Sequence, residues 1–140
     1  MKRVFLLILI VASTVCGYAQ YKYSYKDVTD FKRGMLDTAR KMTKSVPIQT
    51  NEFQTLIAIG VTDNLITYKY KIAGWDGNIM MTKKEIEQTK SLTATNMIRS
   101  QQYPDMFREC LKRTKLEMQF MFFSEDGRYI GGFRLSHMDF

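Results

Sequence analysis

The stretch LEMQFMFFSEDGRYIGGFRL at 116–135 constrains this chain more than any other. Apolar and polar residues alternate on both sides of Asp126-Gly127, the signature of two strands joined by a tight type I′ turn. With a two-residue turn there, Phe120 faces Phe133, Met118 faces Leu135 and Phe122 faces Gly131. That face is apolar and must be covered. The other face pairs Gln119 with Arg134 and Glu117 with Ser136. Met121, Phe123 and Ile130 fall on it as well, and form an expected exposed apolar patch near the turn. A slip of one residue would exchange the two faces, so the register is strongly specified.

A second hairpin is predicted around Asp63-Asn64. There Ile59 meets Tyr68, Ile57 meets Tyr70 and Thr55 meets Ile72, while Ala58 meets Lys69 and Gly60 meets Thr67 on the outer face. Helices are expected between and before the hairpins. Asp27 can cap a first helix, and Val28, Phe31, Met35, Ala39 and Met42 recur at helical spacing. Pro47 ends that segment. Thr82 with Glu85 forms a capping box for a second helix to about Ile98, with Ile86, Thr93 and Met97 on its apolar face. Pro104 and Asp105 open a third, to about Arg113. The expected fold is α+β: a four-stranded antiparallel sheet of two hairpins, covered on one face by helices, in the order α-β-β-α-α-β-β. The segment YKYSYK at 21–26 alternates like a strand, or serves as a lead-in.

The N-terminus fixes the compartment. Lys2 and Arg3 precede an uncharged apolar run from Val4 to Ala12, and small and polar residues follow. That is the order of a secretory signal peptide, and the run is too short to span a bilayer. Gly17-Tyr18-Ala19 offers a cleavage site. The expected organisation is a signal peptide at 1–19 and one α+β domain at 20–140, exported to the periplasm or the extracellular space. Lipidation of Cys16 is the minority alternative, because Val15 and Ser13 suit a lipoprotein site poorly.

Lys and Arg number 21 against 14 Asp and Glu, a formal charge of +7. Without Lys2 and Arg3 the exported chain has 19 basic residues against 14 acidic ones, or +5. Export argues against nucleic acid as the partner. Lys22, Lys26, Lys32, Arg33, Arg40, Lys41 and Lys44 crowd the N-terminal quarter, and read as a solvated helix face with anionic lipid, glycan or protein as alternatives. Removing residues 1–19 leaves Cys110 as the only cysteine, so no internal disulfide can form and stability must come from packing. Cys110 lies on a stripe with Met106, Phe107 and Leu111, and reads as a buried inert thiol.

Little in the sequence suggests catalysis. His137 is the single histidine. A Cys110–His137 pair is the one Cys/His arrangement available, and helix burial of Cys110 argues against it. His137 with Asp139 supplies two ligands near the chain end, too few for a zinc site, and reads as a frayed tail. Most acids take cap, turn or helix positions. Glu52 and Glu117 are read on strands, and a carboxylate pair there would need a cleft. GWDGN at 74–78 lacks the Lys-Ser/Thr of a phosphate loop and reads as a mobile loop. Its Trp75 is either a binding anchor or a lid on the core. No catalytic residue, metal ligand or cofactor is assigned. The candidate binding surface is Trp75, Tyr103, Met121, Phe123, Ile130 and Arg134.

Pro47 before the first strand, NLITYKYKI, the capped helix and the 116–135 hairpin resemble small exported bacterial envelope proteins of uncharacterised function. The resemblance implies an envelope location and an α+β shape, and brings no catalytic residues. The expected function is non-enzymatic binding of an envelope protein partner, as an inhibitor or immunity protein would perform. A small envelope hydrolase and a lipid or small-molecule carrier are the alternatives. Membrane contact is expected only through the basic N-terminal region or a lipidated Cys16.

Overall fold

The computed structural model describes residues 25–140. The expected signal peptide at 1–19, Cys16 within it, and most of YKYSYK lie outside the described residues. Within them the chain runs α1 (Tyr25–Met42), β1 (Ile48–Asn51), β2 (Gln54–Val61), β3 (Leu65–Ile72), α2 (Lys83–Ser100), α3 (Pro104–Thr114), β4 (Glu117–Phe123), β5 (Tyr129–Leu135) and a 3-10 turn at His137–Asp139.

The expected four-stranded antiparallel sheet is corrected in two respects. The sheet has five strands in the order β1-β2-β3-β4-β5, and it is mixed. The added strand is β1, antiparallel to β2. Asn51 makes it possible: its side-chain oxygen accepts from the Phe53 amide at 2.9 Å, closing a tight turn at Glu52-Phe53. Glu52 therefore sits on a turn and not on a strand. The second correction is that β3 and β4 run parallel, pairing Tyr68 with Phe120 and Tyr70 with Phe122. The segment carrying α2 and α3 returns the chain to the starting end of β3, which is the crossover that a parallel pair needs.

Both hairpins contain a bulge. In the first, Ile59 faces Tyr68 as expected, but Leu56 and not Ile57 faces Tyr70, and Gln54 faces Ile72. The extra residue, Ile57, is left exposed, and Leu56 turns inward in its place. In the second, the loop has three residues and not two. The Ser124 amide donates to the Arg128 carbonyl at 2.8 Å, and Gly127 alone takes a positive φ, of 86°. This is a type I turn closed by a left-handed glycine. Phe123 then faces Tyr129, and Phe122 faces Gly131, so Ile130 is the inserted residue. Ile130 points into the core and is fully buried, against its expected place on the outer face.

The core lies between the inner sheet face and the helices. A ladder of rings crosses the middle strands: Tyr68 on Phe120 at 5.2 Å, Phe120 on Phe133 at 5.1 Å, and Tyr70 on Phe122 at 5.9 Å. From α1, Val28, Phe31, Met35, Leu36 and Ala39 are buried, and α1 packs on α3 and β2. α2 packs on β5, beginning at its expected capping box, where Thr82 and Glu85 satisfy each other's amides at 3.1 and 2.7 Å. From α3, Met106, Phe107, Cys110 and Leu111 face inward.

Candidate functional site

Two surfaces could hold a partner, and the first is the uncovered face of the sheet. Alternation along β3, β4 and β5 sends Lys69, Lys71, Met121, Phe123 and Arg134 there, opposite the buried ladder. Tyr129 joins them. Its ring meets Phe123 edge-on at 5.9 Å, and its hydroxyl lies 3.2 Å from where Gly132 would carry a Cβ. The ring therefore runs along β5 and covers that glycine. Arg134 approaches Glu117 across the strands at 3.8 Å.

Three of the six expected binding residues, Met121, Phe123 and Arg134, thus share one face. The others do not join them. Trp75 is buried, and its indole N–H donates to the Ile79 carbonyl at 2.6 Å. The loop that carries it is clamped to the β4–β5 turn. Glu125 accepts from the Gly74 amide at 3.0 Å, and Arg128 donates to the Asn78 side chain at 2.7 Å. This corrects the expectation of a mobile loop. At the same turn Ser124 donates to Asp126, and that bond, aided by Arg128, holds the Asp126 carboxyl below its ordinary value. Ile130 is sealed in the core, and Tyr103 packs against the core at the start of α3, on the helical side. Sequence reasoning misses Tyr129 because its outward place depends on the bulge at Ile130, which turn chemistry alone does not reveal.

The second surface is a cleft of about 380 Å³ between α2 and the C-terminal turn. Ala94, Ile98 and Phe140 form its apolar part, and Lys90 bridges Asp139 at 3.3 Å beside it. Glu87, Ser91 and Thr95 complete the lining. The tail expected to fray is instead fastened. Ser136 and Asp139 form a second capping box, with the Ser136 amide donating to Asp139 at 2.8 Å, and the Phe140 ring meets Phe107 edge-on at 5.0 Å. The spacing Ser136…Asp139 carries that signal in the sequence.

The groups considered for chemistry do not assemble. Cys110 is fully buried, and burial pushes its thiol up to about 11, so it stays protonated at neutral pH. His137 lies on the half-exposed C-terminal turn. Burial likewise raises the phenols of Tyr68 and Tyr70. No group of three or more potential metal ligands occurs among the described residues. On α1, Arg33 pairs with Asp30 at 3.3 Å and Arg40 with Asp37 at 3.2 Å, the pattern of a solvated helix face.

No protein-family model matches the chain, and no curated protein matches it either. Solved structures do share its fold. One is the pilotin EpsS of the Vibrio vulnificus type 2 secretion system, with 9% identity, 83% of this chain and 96% of that one covered, and a TM-score of 0.55. Another is the type II secretion system pilotin AspS of Vibrio cholerae, with 9% identity, 82% and 96% coverage, and a TM-score of 0.53. At such identity the likeness is one of fold.

Proposed function

We propose that this chain is an exported, non-enzymatic interaction protein of the bacterial envelope, which receives a segment of a protein partner in the cleft between α2 and the C-terminal turn. The observation that carries the reading is the cleft. Ala94, Ile98 and Phe140 offer apolar surface to bury, and the fastened tail gives the cleft a wall. Lys90 and Asp139 provide polar contacts beside it. A preformed concavity that joins apolar surface to polar groups able to fix orientation is the usual form of a recognition site. The export signal read at 1–19 supports the location, and two secretion-system pilotins with this fold make an accessory role in a secretion assembly the favoured context. The buried, protonated thiol of Cys110 supports the non-enzymatic part of the reading.

The test is a pull-down from envelope extract with the purified chain as bait. The wild type is expected to return one stoichiometric partner. Ser91→Arg with Thr95→Arg places two bulky cations in the cleft from positions outside the core. That variant should keep its melting temperature and capture the partner roughly tenfold more weakly or worse, as expected when a central contact is blocked. Undiminished capture by the variant would move the binding site elsewhere. A wild type that returns no partner would end the reading.

A further inference from the structure

We infer that the uncovered sheet face docks on an anionic bilayer surface, through Lys69 and Lys71 together with the ring pair Phe123–Tyr129. The inference concerns a different surface from the cleft and does not depend on it.

The strand period places Lys69 and Lys71 on the same outward face of β3. Their neighbours across the parallel pair are Met121 and Phe123. Phe123 in turn meets Tyr129, which is 47% exposed. Cations and amphipathic rings therefore interleave on one face. Among the described residues neither lysine enters an ion pair, whereas Arg33 and Arg40 on α1 are paired within their own helix. The one acid that the strands place on this face, Glu117, is approached by Arg134. The face thus carries unneutralised positive charge.

The shape favours a membrane over a folded partner. On β2 the residues opposite the lysines, Thr55 and Ala58, are short, and the bulged Ile57 between them adds an exposed apolar side chain. Lysine stems can lie along the sheet and lift their ammonium groups to lipid phosphates. Tyr129 presents a ring and a hydroxyl, the combination favoured at the membrane–water boundary. Anionic lipid is the surface complementary to this set.

The experiment is co-sedimentation of the purified full-length chain with vesicles, either phosphatidylcholine alone or phosphatidylcholine with phosphatidylglycerol, at low salt. The wild type is expected to bind the anionic vesicles, to leave neutral ones in solution, and to be released as salt rises. Lys69→Gln with Lys71→Gln should lower the partition coefficient roughly 30-fold, since each surface lysine contributes roughly fivefold. Lys41→Gln with Lys44→Gln removes the same charge from the end of α1 and the turn after it, and should change it less than roughly threefold. All variants keep the wild-type N-terminus, so an acyl chain at Cys16 would add equally to each. Should the double variant not fold, the single variants Lys69→Gln and Lys71→Gln, each expected to lose roughly fivefold, decide in its place. Equal binding to both vesicles, equal loss from the α1 variant, or no binding would overturn the inference. So would loss of an acidic protein partner, and not of vesicle binding, from the sheet variant.

Discussion

Cys110 shows what a single position reveals in advance. Its neighbours Met106, Phe107 and Leu111 mark a buried stripe, and the thiol is fully buried on α3. Its titration follows from that burial. The ordinary thiol value is 9.0, and the folded value is about 11. Below pH 9 both states hold the proton and the full contribution to stability is present. Between 9 and 11 the unfolded chain releases the proton while the folded chain keeps it, so stability falls as pH rises. Cys110→Ala should be less stable at neutral pH and should lose stability less steeply over this interval. Urea midpoints from pH 8 to 11 for both proteins check this, and parallel curves would refute it. Tyr68 and Tyr70 titrate in both proteins and cancel in the difference. Trp75 and Ile130 are not legible in the same way. The place of Trp75 depends on the Ile79 carbonyl and on Glu125 across the chain, and that of Ile130 depends on an inserted residue.

At the scale of elements, simple alternation gives the middle of the second hairpin correctly, because two departures from the expected ladder offset each other. The loop has three residues where two are expected, and the bulge at Ile130 restores the pairing of Phe120 with Phe133. The first hairpin has no such compensation, and alternation assigns Ile57 the inward place that Leu56 holds. Alternation fixes which residues share a face until a bulge intervenes, and bulges follow from sheet strain and packing. Two glycines separate these effects. Gly127 has φ of 86°, and a Cβ added there would have nothing within 4 Å, so Gly127→Ala meets only backbone strain. Its expected cost is about 1–2 kcal/mol. At Gly132 the added carbon would lie 2.3 Å from the Phe120 carbonyl oxygen, inside the ladder itself. Gly132→Ala should therefore cost more than Gly127→Ala, because β4 and β5 must part. Equilibrium urea unfolding of both variants checks the order, and the reverse order would contradict the close approach.

The whole molecule depends on a junction that local patterns do not encode. Turn residues announce hairpins, but nothing in a strand states which distant strand lies beside it or in which direction. β3 and β4 alternate as half-buried strands do, and so read as antiparallel, whereas sheets with parallel strands are usually covered on both faces. Their parallel pairing places each hairpin's inner strand at the centre of one sheet. The open face it leaves carries Met121, Phe123 and Arg134, the half of the expected site that alternation does reveal. The junction also makes the described chain one unit, because the ring ladder from Tyr68 through Phe120 to Phe133 spans it. Phe120 is fully buried and touches both hairpins, so its loss should weaken them together. Phe120→Ala is expected to lower stability by about 3–5 kcal/mol, a large share of what a domain of this size has. Two probes report on different parts. Trp75 fluorescence follows the loop clamped to the β4–β5 turn, and far-ultraviolet dichroism follows the helices. In the wild type and in the variant the two urea transitions should coincide, at a lower midpoint in the variant. If the tryptophan signal were lost first while the helical signal persisted, the hairpins would be separable units, and the central parallel pair would not be what joins them.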